Sequence, residues 1–172
     1  VDSPFIGWSQ GTGGSDKLFG NNAGTNRLFG GAGDDHVKGG NQADWLAGGT
    51  GNDKLQGLNG DDHLWGMEGN DELLGNGGMD TAYFFGLRSS YLIVTQNGVV
   101  SVVDTQPTVD GDDGTDMISS IERLSFKNGE TISIVSPVIL DLDGKGVQTI
   151  SAAASDARYD MDGDGISDDT SW

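Results

Sequence analysis

One nine-residue unit decides the fold of this chain: Gly48-Gly49-Thr50-Gly51-Asn52-Asp53-Lys54-Leu55-Gln56. The same pattern, G-G-x-G-x-D-x-U-x with U a large apolar residue, is complete in Gly30-Gly31-Ala32-Gly33-Asp34-Asp35-His36-Val37-Lys38. Looser copies begin at Gly11, Asn21, Gly39, Gly57, Gly66 and Gly75, which gives eight units through Tyr83, with Gly20 inserted between the first two. A short fixed period predicts a solenoid in which neighbouring units stack and bury a continuous core.

At two positions of the unit, the same type of side chain recurs from copy to copy. The sixth carries Asp16, Asn26, Asp35, Asp44, Asp53, Asp62, Asp71 and Asp80, and the eighth carries Leu18, Leu28, Val37, Leu46, Leu55, Leu64, Leu73 and Ala82. Glycines allow left-handed backbone angles in a turn over the first six positions. The last three positions form a short strand whose eighth side chain points inward. Two units make one coil, so the predicted fold is an all-β, right-handed parallel β-roll.

Stacking brings the sixth-position carboxylates together. Strands in a sheet lie about 4.8 Å apart, which places Asp35 near Asp53 and Asp44 near Asp62. Such carboxylates repel one another unless a cation lies between them. Ca²⁺ fits, because two opposite oxygen ligands span about 4.6–5.2 Å across the ion. The sequence therefore predicts Ca²⁺ as the cofactor, with roughly six ions along the roll.

Backbone carbonyls of the turns are expected to complete the coordination. From the loop geometry, the predicted carbonyl ligands are Gly30, Ala32, Asp34, Gly39, Asn41, Ala43, Gly48, Thr50, Asn52, Gly57, Asn59, Asp61, Gly66, Glu68 and Asn70. One inward side chain per unit contributes about 1.5–3 kcal/mol, whereas ordering each residue costs about 1–2 kcal/mol. We therefore expect disorder without Ca²⁺ and cooperative folding with it.

The composition excludes several classes of binding partner for this chain. The chain has 27 acidic and 9 basic residues and a formal net charge of -18, which excludes general affinity for nucleic acid. It has no cysteine, so disulfides and thiolate metal sites are excluded. No apolar run approaches the ~20 residues of a membrane helix, and direct membrane insertion is not expected. The N-terminus has no Sec-type signal, and the chain is expected to be a fragment of a larger secreted protein.

Four segments are predicted: a lead-in over 1–10, the roll over 11–83, a β-rich cap over 84–135, and a segment over 136–172. Within the cap, strands are expected at Tyr91–Thr95, at Gly98–Val103, at Ser125 and at Ile132–Val135, while Met117–Leu124 is open between strand and short helix. A further unit-like stretch spans Gly111–Ser119. Its Asp116 is predicted either to bind another ion or to lie in a solvated acidic loop.

An EF-hand-type loop is predicted near the C-terminus. Asp160, Asp162, Asp164, Ile166 and Asp168 stand at loop positions 1, 3, 5, 7 and 9, with Gly165 at the turn. Ser171 replaces the usual bidentate Glu at position 12, so weak Ca²⁺ binding is expected. The stretch Asp141–Gly146 is a poorer copy, with Lys145 at position 5; it either supports the neighbouring site or only forms a turn.

The repeats from Gly11 to Tyr83 resemble the RTX (repeats-in-toxin) family, and Gly78-Met79-Asp80-Thr81-Ala82-Tyr83 with Ile121-Glu122-Arg123-Leu124-Ser125-Phe126 resembles the cap that follows RTX blocks. The resemblance implies type I secretion from a Gram-negative bacterium and folding outside the cell. Pore-forming toxins, proteases, lipases and adhesins all carry such repeats, which do not distinguish between these activities.

The stretch Pro137-Val138-Ile139-Leu140-Asp141-Leu142-Asp143-Gly144 resembles the start of the self-processing module of FrpC-like RTX proteins. That resemblance implies calcium-induced cleavage at an Asp-Pro bond. Here the bond is Ser136-Pro137. The attacking carboxylate is absent, so self-processing at this bond is not expected.

Catalysis is not expected, and no catalytic residue is assigned. His36 and His63 are the only histidines; they stand three repeats apart, which predicts opposite faces of the roll. The third positions form no row of Thr and Asn such as an ice-binding solenoid presents. The outward aromatic residues Phe19, Phe29, Trp45 and Trp65 leave two interpretations open. They dock a cell-surface or carbohydrate partner, or they pack against the cap or a neighbouring domain.

Overall fold

Successive repeats form successive strands. The computed structural model describes residues 8–96, 99–110 and 112–134. Its strands are β1 (Ser9–Gln10), β2 (Lys17–Phe19), β3 (Arg27–Ala32), β4 (His36–Lys38), β5 (Trp45–Thr50), β6 (Lys54–Asn59), β7 (His63–Glu68), β8 (Glu72–Gly77), β9 (Thr81–Phe84), β10 (Tyr91–Gln96), β11 (Val99–Asp104), β12 (Thr115–Ser119), β13 (Arg123–Phe126) and β14 (Thr131–Ser133). The described helices are a 3₁₀ turn, Arg88–Ser90, and α1 (Pro107–Asp110); neither is long or apolar enough to cross a membrane. The EF-hand-type loop and the segment resembling FrpC-like proteins lie outside the described residues.

Alternate repeats belong to alternate sheets. The first sheet has the order β1-β3-β5-β7-β9-β13-β14, and the second has the order β10-β11-β12-β8-β6-β4-β2. Leu28 pairs with Leu46 and Leu46 with Leu64, a step of two repeats, so the predicted stacking of unit i on unit i+2 is confirmed. The inserted Gly20 lengthens the first step by one residue, since Leu18 pairs with Val37.

The eighth-position side chains form the core of the roll. Val37, Leu46, Leu55, Leu64, Leu73 and Ala82 are fully buried between the two sheets. At the N-terminal end Leu18 is only partly buried, because no coil covers it there. Each nine-residue unit therefore contributes one inward apolar side chain, and the core between the sheets is thin.

The strands are longer than predicted. Strands β3, β5, β6, β7 and β8 each span six residues, where the repeat predicts three, and they continue through the first three positions of the following unit. Pairing persists there because glycine lets the stacked backbones approach closely. Gly49 pairs with Gly31 at φ 132°, and a Cβ on Gly49 would lie 1.9 Å from the Gly31 carbonyl oxygen. The turn is thus confined to positions four to six.

The segment after the repeats continues both sheets. Strand β12 pairs in parallel with β8, with Ile118 opposite Leu73, and β13 pairs in parallel with β9, with Leu124 opposite Ala82. The stretch Met117–Leu124 was left open between strand and short helix. Its first three residues lie in strand β12 and its last two in strand β13. Antiparallel partners then follow: β11 and β10 beside β12, and β14 beside β13. The strands predicted near Tyr91 and Val99 are confirmed.

Candidate calcium sites

The sixth-position side chains form two buried columns, one along each edge where the coil turns. In the first column, Asp35, Asp53, Asp71 and Asp116 each accept, through Oδ1, the backbone N–H of the sixth-position residue one coil earlier, at 2.7–2.9 Å. In the second, Asp44, Asp62 and Asp80 do the same at 2.6–2.8 Å. The N–H bonds fix each carboxylate with one oxygen facing the backbone and the other facing inward.

The second oxygen of most of these carboxylates has no partner. Oδ2 is buried without a hydrogen bond in Asp35, Asp53, Asp62, Asp71 and Asp80. Burying a carboxylate without a compensating charge costs several kcal/mol. Asp44 differs, because its Oδ2 accepts the Gly40 N–H at 2.6 Å. Orphaned, stacked anionic oxygens are the observation in this structure that calls for a bound cation.

First-position carbonyls face the same space as the orphaned oxygens. The point that a Cβ on Gly30 would occupy lies 2.3 Å from Asp35 Oδ2 and 2.7 Å from the Gly48 carbonyl oxygen. At Gly57, the corresponding distances are 2.1 Å to Asp62 Oδ2 and 2.9 Å to the Gly75 carbonyl oxygen. A carboxylate oxygen and a carbonyl oxygen therefore converge at both glycines, and hard oxygen ligands of this kind suit Ca²⁺.

Side chains alone do not build a site. Among the described residues no group of three or more His, Cys, Asp or Glu side chains is placed to hold a metal ion. An ion must therefore take backbone oxygens as well. The third-position carbonyls of Thr50 and Glu68 accept the N–H groups of Gly33 and Gly51 at 2.7 and 2.9 Å, which leaves each with one further lone pair.

The fifth-position side chains form an outer ladder. Asp34 Oδ1 accepts the Asn52 N–H at 2.8 Å, Asn52 Oδ1 accepts the Asn70 N–H at 3.0 Å, and Asn70 Oδ1 accepts the Thr115 N–H at 2.9 Å. On the other edge Asp61 Oδ1 accepts the Met79 N–H at 2.8 Å. These side chains are occupied with holding neighbouring turns together, so any ligation by the fifth position falls to its carbonyl.

The N-terminal ends of the columns differ from their middles. The Asn26 amide nitrogen donates to the carbonyls of Asn21 and Gly24 at 3.0 and 3.2 Å and to Asp44 Oδ1 at 2.8 Å. Asp16 Oδ2 accepts from the backbone N–H and the hydroxyl of Thr12. The Thr12 N–H lowers the pKa of Asp16 below its usual value. Both end residues have partners of their own, in contrast to the orphaned middle of each column.

Burial and mutual repulsion perturb the column carboxylates. Desolvation, opposed by the backbone N–H bonds and reinforced by the neighbouring aspartates, raises the pKa of Asp53 and Asp62 to about 7. Desolvation likewise raises the pKa of Asp71 and Asp80 to about 6, opposed by the backbone N–H bonds and reinforced by the charge of Asp113 at Asp71 and of Glu122 at Asp80. Near neutral pH, a proton and a metal ion therefore compete for each of these carboxylates.

Two acidic residues beyond the repeats extend the columns. Asp116 is buried, with 1% of its surface exposed, so its side chain does not lie in a solvated loop; desolvation and the charge of Asp71 raise its pKa to about 9. Glu122, which the sequence did not single out as a ligand, accepts the Asp80 N–H through Oε2 at 2.7 Å. The signal was present: Glu122 and Leu124 have the spacing of the sixth and eighth positions of a unit.

The comparison with protein families agrees with this geometry. Residues 21–55 and 48–82 match the family model of the RTX calcium-binding nonapeptide repeat, four copies. Residues 21–82 are an RTX β-roll. The RTX repeats make this region a calcium-binding module, with Ca²⁺ as its ion. No curated protein gives a significant match to the chain. The unit that starts at Gly11 lies outside the match, yet its strand β2 stacks on β4 in the same register.

The two histidines lie on opposite faces of the RTX roll, as predicted: His36 is in β4 of the second sheet and His63 in β7 of the first. Phe19, on β2, is exposed on the second sheet, whereas Phe29, Trp45 and Trp65 lie on the first.

The rings of the first sheet stack along the roll. The Trp45 ring stacks on the His63 ring, with 5.2 Å between centroids, and the Trp65 ring stacks on the Tyr83 ring at 4.5 Å. The guanidinium of Arg27 lies 5.0 Å from the centroid of Trp45, and His63 Nδ1 lies 2.7 Å from the Tyr83 hydroxyl. Neighbouring rungs thus cover the faces of Trp45, which favours packing within the roll over a platform for sugars.

Replacing Asp62 with asparagine is expected to raise the Ca²⁺ concentration at the folding midpoint by roughly tenfold or more, because charge count sets calcium affinity. Asp62 is fully buried with an orphaned Oδ2. Asp61→Asn is the matched control: it makes the same chemical change one residue away, on an exposed side chain. A Ca²⁺ titration followed by circular dichroism measures both midpoints, and equal shifts in the two variants would contradict the assignment.

Proposed function

We propose that residues 11–83 are a calcium-gated folding module of a larger secreted protein. The observation that carries the proposal is the pair of buried columns in which Asp35, Asp53, Asp62, Asp71 and Asp80 keep an unpartnered carboxylate oxygen. Ca²⁺ compensates those charges. Because the ion binds the folded roll and not the extended chain, its binding energy becomes folding energy.

The core supports this dependence on the ion. Each rung buries one apolar side chain between the sheets, at about 1.5–3 kcal/mol, while it orders nine residues at about 1–2 kcal/mol each. Hydrogen bonds along the ladders contribute about 0.5–1.5 kcal/mol net apiece. Without cations, repulsion within the carboxylate columns lowers the stability of the folded roll further. The ion-free chain is therefore not folded into the roll at neutral pH.

A chain with this property stays extended where free Ca²⁺ is scarce and folds where it is abundant. That behaviour suits export through a one-step, type I channel followed by folding outside the cell, and we propose this route and an extracellular or cell-surface location. The module then serves the remainder of the protein, as part of a toxin, an adhesin or an exoenzyme. We assign the module itself no catalytic step. The loop at Asp160–Asp168 is proposed as a further, weaker Ca²⁺ site.

Far-UV circular dichroism during a Ca²⁺ titration tests the proposal, with Mg²⁺ as the control ion. The expected result is a cooperative change from coil to β-structure with Ca²⁺ and none with Mg²⁺ at equal concentration. Mg²⁺ demands near-ideal octahedral geometry and gives up its water reluctantly, so the carbonyl-rich turns suit it poorly. A full β spectrum in EDTA at neutral pH would overturn calcium gating.

A further inference from the structure

The second column does not end with the last repeat. Asp80 is the sixth-position residue of the final unit, is fully buried, and has an unpartnered Oδ2. No later repeat follows to supply the next carboxylate and the next first-position carbonyl. The chain instead returns after the β10–β11 hairpin and places residues 120–126 over this end of the roll.

The returning segment makes the same backbone hydrogen bond that a further repeat would make. Within the roll, Asp80 Oδ1 accepts the Asp62 N–H at 2.8 Å; at the cap, Glu122 Oε2 accepts the Asp80 N–H at 2.7 Å. Glu122 therefore occupies the place of the next sixth-position carboxylate. Two backbone bonds from the segment to the Asp80 carbonyl, from the Glu122 N–H at 3.2 Å and the Arg123 N–H at 3.1 Å, hold it there.

The first-position carbonyl also has a counterpart. The point that a Cβ on Gly75 would occupy lies 2.2 Å from Asp80 Oδ2 and 2.0 Å from the Ser120 carbonyl oxygen. At Gly57, one coil earlier, Asp62 Oδ2 and the Gly75 carbonyl stand in the same relation. The Ser120 carbonyl thus faces the orphaned Asp80 oxygen as a repeat glycine would.

Among the described residues, neither Asp80 nor Glu122 forms an ion pair with a basic side chain. Lys54 and Glu72 form an ion pair on the second sheet. Two carboxylates therefore meet here, one of them fully buried, and the Ser120 carbonyl oxygen faces the orphaned oxygen of Asp80. The charge and the all-oxygen donor set are those of a Ca²⁺ site.

We propose that the cap closes the second column with a calcium site of its own, formed by Asp80, the carboxylate of Glu122 and the carbonyl of Ser120. The inference rests on the proposed function and adds to it, since Glu122 and Ser120, two of the three named ligands, lie outside the repeats. The ion then fastens the cap to the roll, and docking of residues 120–126 becomes dependent on Ca²⁺.

Glu122→Gln tests the site, with Glu130→Gln as the matched control. The glutamine keeps an oxygen to accept the Asp80 N–H but removes the charge, while Glu130 is an exposed cap residue away from the column. Native mass spectrometry of the full chain at saturating Ca²⁺ counts the bound ions. We expect Glu122→Gln to bind one ion fewer than the wild type and Glu130→Gln to bind the same number.

Hydrogen exchange gives the second readout. In Ca²⁺, the amides of 120–126 are expected to lose protection by roughly tenfold or more in Glu122→Gln, while those of 45–68 keep theirs. An unchanged ion count together with unchanged protection would overturn the cap site. A wild-type chain that binds no Ca²⁺ would instead refute the proposed function, so the two failures are distinguishable.

A second variant with a shorter acidic side chain tests the site if Glu122→Gln does not fold. Glu122→Asp keeps the charge but draws the oxygens back by one methylene group. One step of its Ca²⁺ titration is expected to weaken by several-fold relative to the wild type, with the other steps unchanged. A titration that superimposes on the wild type at every step would overturn the site.

Discussion

Gly49→Ala is expected to abolish the Ca²⁺-induced roll even at about 1 mM Ca²⁺, the upper end of the affinities of extracellular sites. Gly49 has φ 132°, a region that an alanine enters only with strain. Its new Cβ would lie 1.9 Å from the Gly31 carbonyl oxygen, which belongs to the paired strand and cannot rotate away. We expect a loss above about 4 kcal/mol, in the range reserved for severe clashes and buried charges.

Gly13→Ala is the matched control for this substitution. A Cβ on Gly13 has no atom within 4 Å, in a turn at the N-terminal end of the roll. The control is expected to shift the Ca²⁺ midpoint by less than about twofold, as surface substitutions change stability by about 0.5 kcal/mol or less. Circular dichroism at saturating Ca²⁺ compares the two variants. A Gly49→Ala chain that folds like the control would show that the stacked backbones do not approach as closely as described.

Acid is expected to replace calcium as the agent that folds the ion-free chain. The pKa of Asp53 and Asp62 is raised to about 7, and that of Asp71 and Asp80 to about 6, chiefly by burial. In the extended chain these groups titrate near 3.9. The roll thus binds more protons than the extended chain between about pH 4 and pH 7. Its ion-free stability is fully present below that window and is lost as the pH rises through 6 to 7.

The measurement is far-UV circular dichroism of the Ca²⁺-free chain between pH 5 and pH 8, above the sequence pI of about 4.1, where solubility is lowest. The β signal should grow toward pH 5, and the Ca²⁺ concentration needed for folding should fall, since protonated carboxylates in the column no longer need a cation to offset their charge. Asp62→Asn removes one titrating group, so its pH dependence should be shallower. A β signal that grows toward pH 8 without Ca²⁺ would contradict the raised pKa values.

The repeat was sufficient to predict the roll and its columns. The spacing between Asp53 and Leu55 is the same in every unit. It lets the apolar side chain be buried and the carboxylate share a cation only if each eighth-position residue faces a common core and each sixth-position residue faces its neighbour one coil away. This is a local, periodic constraint, and for that reason the register Leu46 to Leu64 and the two-unit coil followed from sequence. The inserted Gly20 was also visible as a break in phase, and the structure absorbs it in one step of the ladder.

The path of the chain after Tyr83 was decided only in three dimensions. Asp116 with Ile118 and Glu122 with Leu124 have the spacing of the sixth and eighth positions of a unit, but they stand apart from the repeat block. The sequence therefore did not show that residues 115–119 and 123–126 return to stack on β8 and β9, through contacts that join residues 45 and 42 positions apart. Their placement depends on which strand edge is left unpaired at the end of the roll. It also depends on the backbone N–H groups of Asp71 and Asp80, which find their acceptors in Asp116 and Glu122. Sequence therefore determined the repeating calcium scaffold, whereas the tertiary structure decided how it ends, since an end has no neighbouring repeat to define it.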